Sequence, residues 1–190
     1  ASYCGVQIGN SNGENTFYSG GGDIVIRGDA SRHIGVNING QITMKAGNGR
    51  LIIAATSSPT TSAEGNNTHA LEVLAHSGFP SLYESYSSHS QAISILGTST
   101  ANNTDTYGVS FLFGSDPTNT VISSKGTGGV FIAGSSSATD AQPVRLDKVT
   151  IHAVTSSIVI EARGAGTTND KSILHFVDAN TNLGASGSLT

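Results

Sequence analysis

The chain is poor in the residues that build disulfide-linked, aromatic-rich or membrane-spanning proteins. Its 190 residues include one cysteine, one methionine, four prolines and no tryptophan, and only 12% of them are charged. The single cysteine, Cys4, excludes an internal disulfide, and we interpret it as an ordinary small residue. The longest uninterrupted apolar run, residues 51–55, is far too short to cross a bilayer.

Clustered charge and catalytic motifs are also missing. The net charge of −4 is spread along the chain without the basic clusters that nucleic acids and anionic lipids require, so we expect no nucleic-acid partner and no membrane insertion of this segment. The six histidines show no zinc spacing with cysteine or acidic partners, and no phosphate loop or nucleophile elbow is present. The sequence therefore predicts no metal, no cofactor and no catalytic residue.

A short repeat fills most of the chain, which contains 24 glycines. Its plan is aliphatic-x-aliphatic-x-Gly or Ala, and the clearest copy is Ile24-Val-Ile-Arg-Gly28. Further copies begin at Val36, Ile42, Leu51, Leu71, Ile93, Val130, Val149 and Ile158, with looser ones at Val109 and Ile173. The period-2 alternation predicts short strands with one buried face, and the small fifth residue predicts a bend at close backbone approach.

The spacing of the copies predicts how the strands assemble. One copy per cluster begins at positions 51, 71, 93, 109, 130 and 149. This spacing predicts an all-β, right-handed parallel β-helix (β-solenoid) with coils of about 20 residues, about nine coils in all, and protruding loops. Ile26, Ile53, Val73 and Ile95 should then stack in one column. A β-sandwich is the alternative, because strands separated by frequent turns predict that fold too.

We expect the whole chain, 1–190, to form one solenoid segment. Residues 1–22 would make an irregular first coil and 23–56 regular coils. Residues 57–128 would make coils decorated with loops, and 129–190 would make regular coils and the start of the next one. The predicted loops are the polar, turn-rich stretches at 57–68, 78–90, 98–107, 115–120 and 135–142.

Several strands carry apolar residues on the face that should meet water. These are Val25, Ile52, Leu74, Leu96, Leu112, Phe131 and Val159. So many outward apolar side chains predict a second layer over one side, supplied by the loops or by a neighbouring chain. Leu74, Leu96 and Leu112 are the predicted self-association face.

Four stretches join a Gly-Gly-Asp, Asn-Gly or Ser-Ser turn to an Ile-rich strand that ends in Gly or Ala. They are Gly21-Gly-Asp-Ile-Val-Ile-Arg-Gly28, Asn39-Gly-Gln-Ile-Thr-Met-Lys-Ala46, Asn48-Gly-Arg-Leu-Ile-Ile-Ala-Ala55 and Ser156-Ser-Ile-Val-Ile-Glu-Ala162. In this plan the chain resembles the coils of filamentous haemagglutinin-type adhesins, the large exoproteins of two-partner secretion. The resemblance covers roughly residues 21–55 and 128–165.

The resemblance implies a right-handed parallel β-helix that is secreted or displayed on a bacterial surface. It also implies attachment to a host-cell or bacterial receptor or to a glycan, self-association into fibres, and no catalysis. The Asn-Pro-Asn-Gly type motif of the family's secretion domain is absent, so this chain would correspond to the shaft or to a decorated binding region.

Three small motifs are further candidates. Arg27-Gly28-Asp29 matches the tripeptide that some adhesive proteins present to integrins, although Gly28 is also the small residue of the repeat. Asn66 and Asn102 begin glycosylation sequons in predicted loops. His152 and Glu161 hold the same place in copies nine residues apart, and we expect them on neighbouring sheets.

A polysaccharide-cleaving β-helix is the enzymatic alternative, because such enzymes use carboxylate pairs on a solenoid face. The 13 acidic residues form no pair at repeat spacing, and Asp140 and Asp147 stand alone. The sequence therefore favours a non-catalytic adhesin and keeps polysaccharide binding or cleavage as the alternative.

Overall fold

The computed structural model of the chain describes residues 4–10, 13–59, 68–75, 80–101, 106–113, 120–138, 141–164, 174–177 and 182–185. Within them the protein is all-β, with seventeen strands and no helix. The strands are β1 (Val6–Ile8), β2 (Glu14–Tyr18), β3 (Ile24–Ala30), β4 (Val36–Asn39), β5 (Gln41–Lys45), β6 (Leu51–Ser57), β7 (Leu71–Ala75), β8 (Leu82–Ser85), β9 (Gln91–Ser99), β10 (Val109–Phe113), β11 (Thr120–Ser124), β12 (Gly129–Ser136), β13 (Val144–Asp147), β14 (Val149–Ala153), β15 (Ile158–Gly164), β16 (Leu174–Val177) and β17 (Asn182–Ala185).

Every third strand belongs to the same sheet, and all neighbours are parallel. Sheet A has the order β1-β4-β7-β10-β13-β16, sheet B β2-β5-β8-β11-β14-β17, and sheet C β3-β6-β9-β12-β15. Coils 1 to 5 each contribute one strand to every sheet, and coil 6 contributes β16 and β17. The chain is a right-handed parallel β-helix, which confirms the predicted fold class over the sandwich.

The coils are longer than the sequence predicted. Successive equivalent positions in sheet A are Val6, Val36, Leu71, Val109, Val144 and Leu174, so the steps from coil to coil are 30, 35, 38, 35 and 30. The six levels therefore span about 24 Å at about 4.8 Å per step, rather than the predicted nine levels. The predicted column was wrong in one member, because Val73 lies in sheet A while Ile26, Ile53 and Ile95 share sheet C.

The short apparent period has a physical cause. Strands β8 and β11 place Ser85 and Ser124 inward where the repeat has Gly or Ala, and Tyr83 inward where it has an aliphatic residue. The aliphatic repeat is therefore missing from these strands. Successive copies of the repeat along the sequence then belong to different sheets, which makes the apparent coil too short. One predicted loop was wrong for this reason, because 78–90 contains β8. The loops predicted at 98–107 and 135–142 each begin two residues too early, inside β9 and β12.

Aliphatic side chains fill the interior in vertical columns. In sheet C one column is Ile24, Leu51, Ile93, Val130 and Ile158, and the next is Ile26, Ile53, Ile95, Ile132 and Ile160. Those in coils 2 to 4 are almost completely buried. Each buried aliphatic side chain stabilises the fold by about 1.5–3 kcal/mol relative to its exposure to water.

The small fifth residue forms a column of its own: Gly28, Ala55, Gly97, Gly134 and Ala162. At three of its levels the corner between sheets C and A comes very close. A Cβ atom on Gly28, Gly97 or Gly134 would overlap the carbonyl oxygen of Gly35, Gly108 or Pro143, respectively. This confirms the predicted bend at close backbone approach.

The segments that link the strands vary in length at two of the three corners and hardly at all at the third. The links from sheet B to sheet C always have four or five residues, whereas those from sheet C to sheet A range from 31–35 to 58–70. From sheet A to sheet B a single residue suffices in coils 2 and 5, namely Gly40 and Lys148. Both have positive φ, 103° and 51°, so Lys148 holds a left-handed conformation that usually favours glycine.

Buried serines fasten the corner between sheets C and A. Ser57, Ser99 and Ser136 are in register at the ends of β6, β9 and β12. The Ser57 hydroxyl donates to the His33 carbonyl, and that of Ser99 donates to the Thr68 carbonyl at 3.0 Å. These hydrogen bonds thus attach corner segments of different length to the same edge of sheet C.

The corner between sheets B and C uses an ion pair in the first two coils. Asp23 accepts the Arg50 backbone N–H at 2.8 Å, and its other oxygen accepts Arg50 Nε and Nη2 at 2.9 and 2.7 Å. These hydrogen bonds lower the pKa of Asp23. The Gly-Gly-Asp turn therefore has a structural role, and the predicted boundary at 22/23 falls inside coil 1, between β2 and β3.

Candidate functional site

A row of polar side chains crosses the outer face of sheet A. Asn37, Glu72, Ser110 and Arg145 hold equivalent positions on β4, β7, β10 and β13, so they lie side by side at about 4.8 Å per step. An outer face of a β-helix usually meets water. Here Asn37 and Ser110 are buried, and the Glu72 side chain is only 12% exposed.

Glu72 lies at the centre of the polar contacts. Its Oε1 accepts a hydrogen bond from Asn37 Nδ2 at 2.9 Å, and its Oε2 lies 3.4 Å from His69 Nε2. Burial raises the pKa of Glu72, and the Asn37 hydrogen bond opposes that shift only in part. A carboxyl group with a raised pKa can release or take up a proton nearer to neutral pH.

Two residues of the corner between sheets C and A cover this row. His69 precedes β7 and Tyr107 precedes β10, and their rings are in contact with centroids 4.6 Å apart. Arg145 Nη1 donates to the Tyr107 hydroxyl at 3.0 Å, and the guanidinium carbon lies 5.6 Å from the ring centroid. We call Asn37, His69, Glu72, Tyr107, Ser110 and Arg145 the sheet A cluster.

The sheet A cluster retains unused hydrogen-bonding capacity. Asn37 Oδ1, Ser110 Oγ and Arg145 Nε are buried and have no hydrogen-bond partner among the described residues. Leaving such atoms unpaired costs about 1–3 kcal/mol each, and because they are buried a ligand would reach them only after the covering side chains of His69 and Tyr107 moved aside. Amide, hydroxyl, carboxyl and guanidinium groups of this kind bind hydroxyl-rich or carboxylate ligands.

The outer face of sheet C is a second candidate surface and, unlike the sheet A cluster, is accessible. It is formed by three rows parallel to the rod axis. The apolar row is Val25, Ile52, Ser94, Phe131 and Val159. The central row is Arg27, Ala54, Leu96, Ala133 and Glu161. The hydroxyl row is Asp29, Thr56, Thr98, Ser135 and Arg163. Each row is written from coil 1 to coil 5.

A shallow pocket of about 260 Å³ opens on this face at coils 3 to 5. Ala133 lies between the larger Leu96 and Glu161 in the central row, which leaves a depression. On one side Arg163 Nη2 donates to Glu161 Oε2 at 2.9 Å, and on the other Ser135 Oγ donates to Thr98 Oγ1 at 3.2 Å. The rim of the pocket is therefore polar, and its base is formed by the small side chain of Ala133.

The predicted Arg-Gly-Asp motif lies within strand β3. Arg27 and Asp29 are exposed on the outer face of sheet C, and Gly28 is buried in the interior column. Residues 27 and 29 are also in register with Ala54 and Thr56 of β6. The structure thus places the motif in a hydrogen-bonded sheet rather than in a projecting turn, and integrin binding stays a prediction.

The predicted self-association face is divided. Leu74 and Leu112 are adjacent in sheet A, whereas Leu96 lies in the central row of sheet C, so the three leucines do not share one face. Alternation correctly identified these residues as outward, but the short predicted period placed the three leucines on one common face. Of the seven outward apolar residues, five lie on sheet C.

Other predicted positions have simpler outcomes. Asn66 and Asn102 lie outside the described residues. His152 and Glu161 are on neighbouring sheets, B and C, as expected. Burial and the negative charge of Glu72 raise the pKa of the Cys4 thiol, which reduces its reactivity at neutral pH. In the part of the chain that is described, no group of three or more His, Cys, Asp or Glu residues could hold a metal ion.

The sheet A cluster was not found from the sequence. Its members are widely separated along the chain, and only the correct coil length brings Glu72, Ser110 and Arg145 together. The available signal was polar residues at the second position of strands that begin Val-Asn, Leu-Glu, Val-Ser and Val-Arg.

Among the described residues, no helix long and apolar enough to span a membrane occurs.

No protein-family model, curated protein or solved structure matches the chain.

Proposed function

We propose that this chain is a rod segment of a secreted or surface-displayed bacterial adhesin of the filamentous haemagglutinin type. It would hold contact surfaces away from the cell and would have no catalytic activity. The observation that carries the proposal is the ladder of coils, in which three parallel sheets run through five complete coils with a register shift at Gly129/Val130.

Such a ladder makes a stiff spacer. Each strand bonds to the coils above and below, and the interior columns continue from one coil to the next, so bending would break contacts in at least one sheet. Length variation is confined to two of the three corners, at 58–70, 76–81, 100–108 and 114–119 in the middle coils. Variable corners on a constant frame suit a protein that changes its contacts without changing its rod.

The resemblance to filamentous haemagglutinin-type repeats is supported by the roles of the residues that carry it. The Ile-rich strand supplies the interior columns, the small residue allows the close corner, and Asp23 binds Arg50 in the turn. These requirements are shared by β-helices in general. The adhesive role therefore needs a functional test.

Attachment can be measured with fluorescent beads that carry the folded 190-residue chain. We expect these beads to bind mammalian cells or bacteria at least several-fold more than beads carrying the same chain denatured and blocked. Prior periodate oxidation of the cells would separate a glycan receptor from a protein receptor, and a soluble Arg-Gly-Asp peptide would test integrin binding. Equal attachment by folded and denatured chain, on every cell type, would reject the adhesive role.

Polysaccharide binding or cleavage is a second candidate, favoured by the sheet A cluster. A proton-donating carboxyl needs a raised pKa, and burial gives Glu72 one beside His69 and Tyr107. Glycoside hydrolysis ordinarily uses two carboxyl groups, and no second one contacts Glu72 among the described residues, so binding is favoured over cleavage.

A glycan array combined with a reducing-sugar assay tests this candidate. We expect Glu72→Gln to reduce glycan binding, while Glu161→Gln on sheet C leaves it unchanged. Release of reducing ends that is abolished by Glu72→Gln would establish an enzyme and overturn the non-catalytic proposal. Absence of any glycan signal would reject this second candidate and leave the adhesive rod untouched.

A further inference from the structure

We propose that two copies of this chain pair through the outer faces of sheet C, with their rods antiparallel. The inference concerns how rods associate and does not depend on what receptor the rod binds. It rests on the order of charges along two of the three rows and on what each row would meet in a second copy.

Charge is distributed antisymmetrically on this face. In the central row the cation Arg27 lies in coil 1 and the anion Glu161 in coil 5. In the hydroxyl row the order is reversed, with Asp29 in coil 1 and Arg163 in coil 5. The residues between them in both rows are uncharged. Each row is therefore complementary in charge to itself when it is read from the opposite end.

A two-fold axis along β9 uses this property. It lays coil 1 of one copy over coil 5 of the other, keeps each row over the same row, and brings Arg27 opposite Glu161 and Asp29 opposite Arg163. Because the contact is isologous, each of these two pairs forms twice. Leu96 lies on the axis and meets its own counterpart.

The uncharged positions match equally well. Across the same axis Val25 lies opposite Val159 and Ile52 opposite Phe131, so the apolar row covers itself. Ala54 meets Ala133, which keeps the close approach free of bulky side chains at the shallow pocket. Val25 is 48% exposed in a single chain, so its burial removes apolar surface from water.

A parallel pairing fails the same comparison. Its two-fold axis would run along the rod, place Arg27 opposite Arg27 and Glu161 opposite Glu161, and lay the apolar row on the hydroxyl row. Like charges directly opposed are destabilising. The face therefore selects both the partner, a second copy, and the direction in which it lies.

The size of the face sets the expected strength. Five strands at about 4.8 Å and a strand length of about 20 Å give roughly 480 Å² per copy, or about 1000 Å² in total. Stable interfaces start at about 1200 Å², so we expect a weak dimer that depends on concentration and on salt.

Sedimentation velocity on the 190-residue chain over a wide concentration range tests the pairing. We expect a reversible dimer at low salt. Arg27→Glu and Glu161→Arg should each raise its Kd about tenfold, because each places like charges in two symmetric contacts. The double variant R27E/E161R exchanges the charges and should restore the dimer. Lys125→Glu, an exposed lysine at the corner between sheets B and C, makes the same charge change away from the face and should have no effect.

A second pair of variants keeps the test valid if one of the single variants misfolds. If either single variant loses its β-sheet circular dichroism, the pair Asp29→Arg and Arg163→Asp replaces it, with the same expected rescue. A chain that stays monomeric at every concentration would overturn the proposal. It would also be overturned by a double variant that dimerises no better than the single variants, or by an equal loss in Lys125→Glu.

Discussion

Replacing Tyr83 by phenylalanine should stabilise the protein, although the residue lies in the centre of the core. Tyr83 is completely buried on β8, between Met44 and Ile122 of the neighbouring strands, and its ring meets Phe111 edge-on at 6.3 Å. Its hydroxyl has no hydrogen-bond partner among the described residues. A buried hydroxyl in that position costs about 1–3 kcal/mol relative to water.

The magnitude follows from two opposing effects. Tyr83→Phe removes the unpaired hydroxyl and leaves a void smaller than a methyl group, for which about 1 kcal/mol is an upper limit. We therefore expect the free energy of unfolding to rise by about 1 kcal/mol. Tyr107→Phe is the matched control, since its hydroxyl accepts Arg145 Nη1 at 3.0 Å, and it should lower the free energy of unfolding by about 1–2 kcal/mol.

Alkaline pH gives an independent check on the same hydroxyl. Burial raises the pKa of Tyr83, so the unfolded chain ionises there first and the native state loses stability as pH rises above about 10. Tyr83→Phe should lose less stability over that range.

The assay is urea unfolding followed by far-ultraviolet circular dichroism, which is dominated by the β-sheet backbone. A loss of more than about 1 kcal/mol in Tyr83→Phe, or the same sign for both tyrosine variants, would refute the reasoning. A loss in Tyr83→Phe would mean that the Tyr83 hydroxyl is bonded in the native protein, and a gain in both variants would mean that the Tyr107 hydroxyl bond to Arg145 contributes no stability.

Three further substitutions test the corners and the sheet A cluster by urea unfolding. Lys148→Gly should raise the free energy of unfolding by about 1 kcal/mol, because it relieves a left-handed conformation; a decrease would contradict this. Gly134→Ala should lower it by about 1–3 kcal/mol, since the new Cβ would lie 2.6 Å from Val144 Cγ2 and overlap the Pro143 carbonyl, whereas Gly20→Ala, with nothing within 4 Å, should change little. Glu72 has a raised pKa in the folded state, so its stabilising contribution is present at acid pH and lost as pH rises through that value. Glu72→Gln should therefore gain stability relative to the natural protein as pH rises above about 4.5, and a difference that does not change with pH would reject the assigned burial.

Local sequence patterns predicted the strands better than their assembly. Alternation at Ile24-x-Ile26 and Leu51-x-Ile53 is dictated by burial of one face, so these strands and their inward residues were predicted correctly. Coil length depends on which strands stack, and that information lies in corners of unequal length. Strand β8, whose inward residues are Tyr83 and Ser85, does not carry the aliphatic signal at all.

The candidate sites likewise separate into features that local alternation predicts and features that depend on tertiary packing. Outward residues on sheet C could be identified because alternation alone decides which face they take. The contacts among His69, Glu72 and Tyr107 could not, because His69 and Tyr107 belong to corner segments whose path is set by tertiary packing. Placing Glu72 beside Ser110 and Arg145 required the steps from β7 to β10 and from β10 to β13, which no repeat in the sequence displays.

The hydrogen bonds that join the coils point along the rod, and this determines how the protein would respond to tension. A pull on the two ends loads each layer in turn, so the end coil detaches while the remainder keeps its shape. Each detached coil would release about 100–130 Å of extended chain, at about 3.4 Å per residue. A tether of this design absorbs a sudden load by lengthening in stages and winds up again when the load falls.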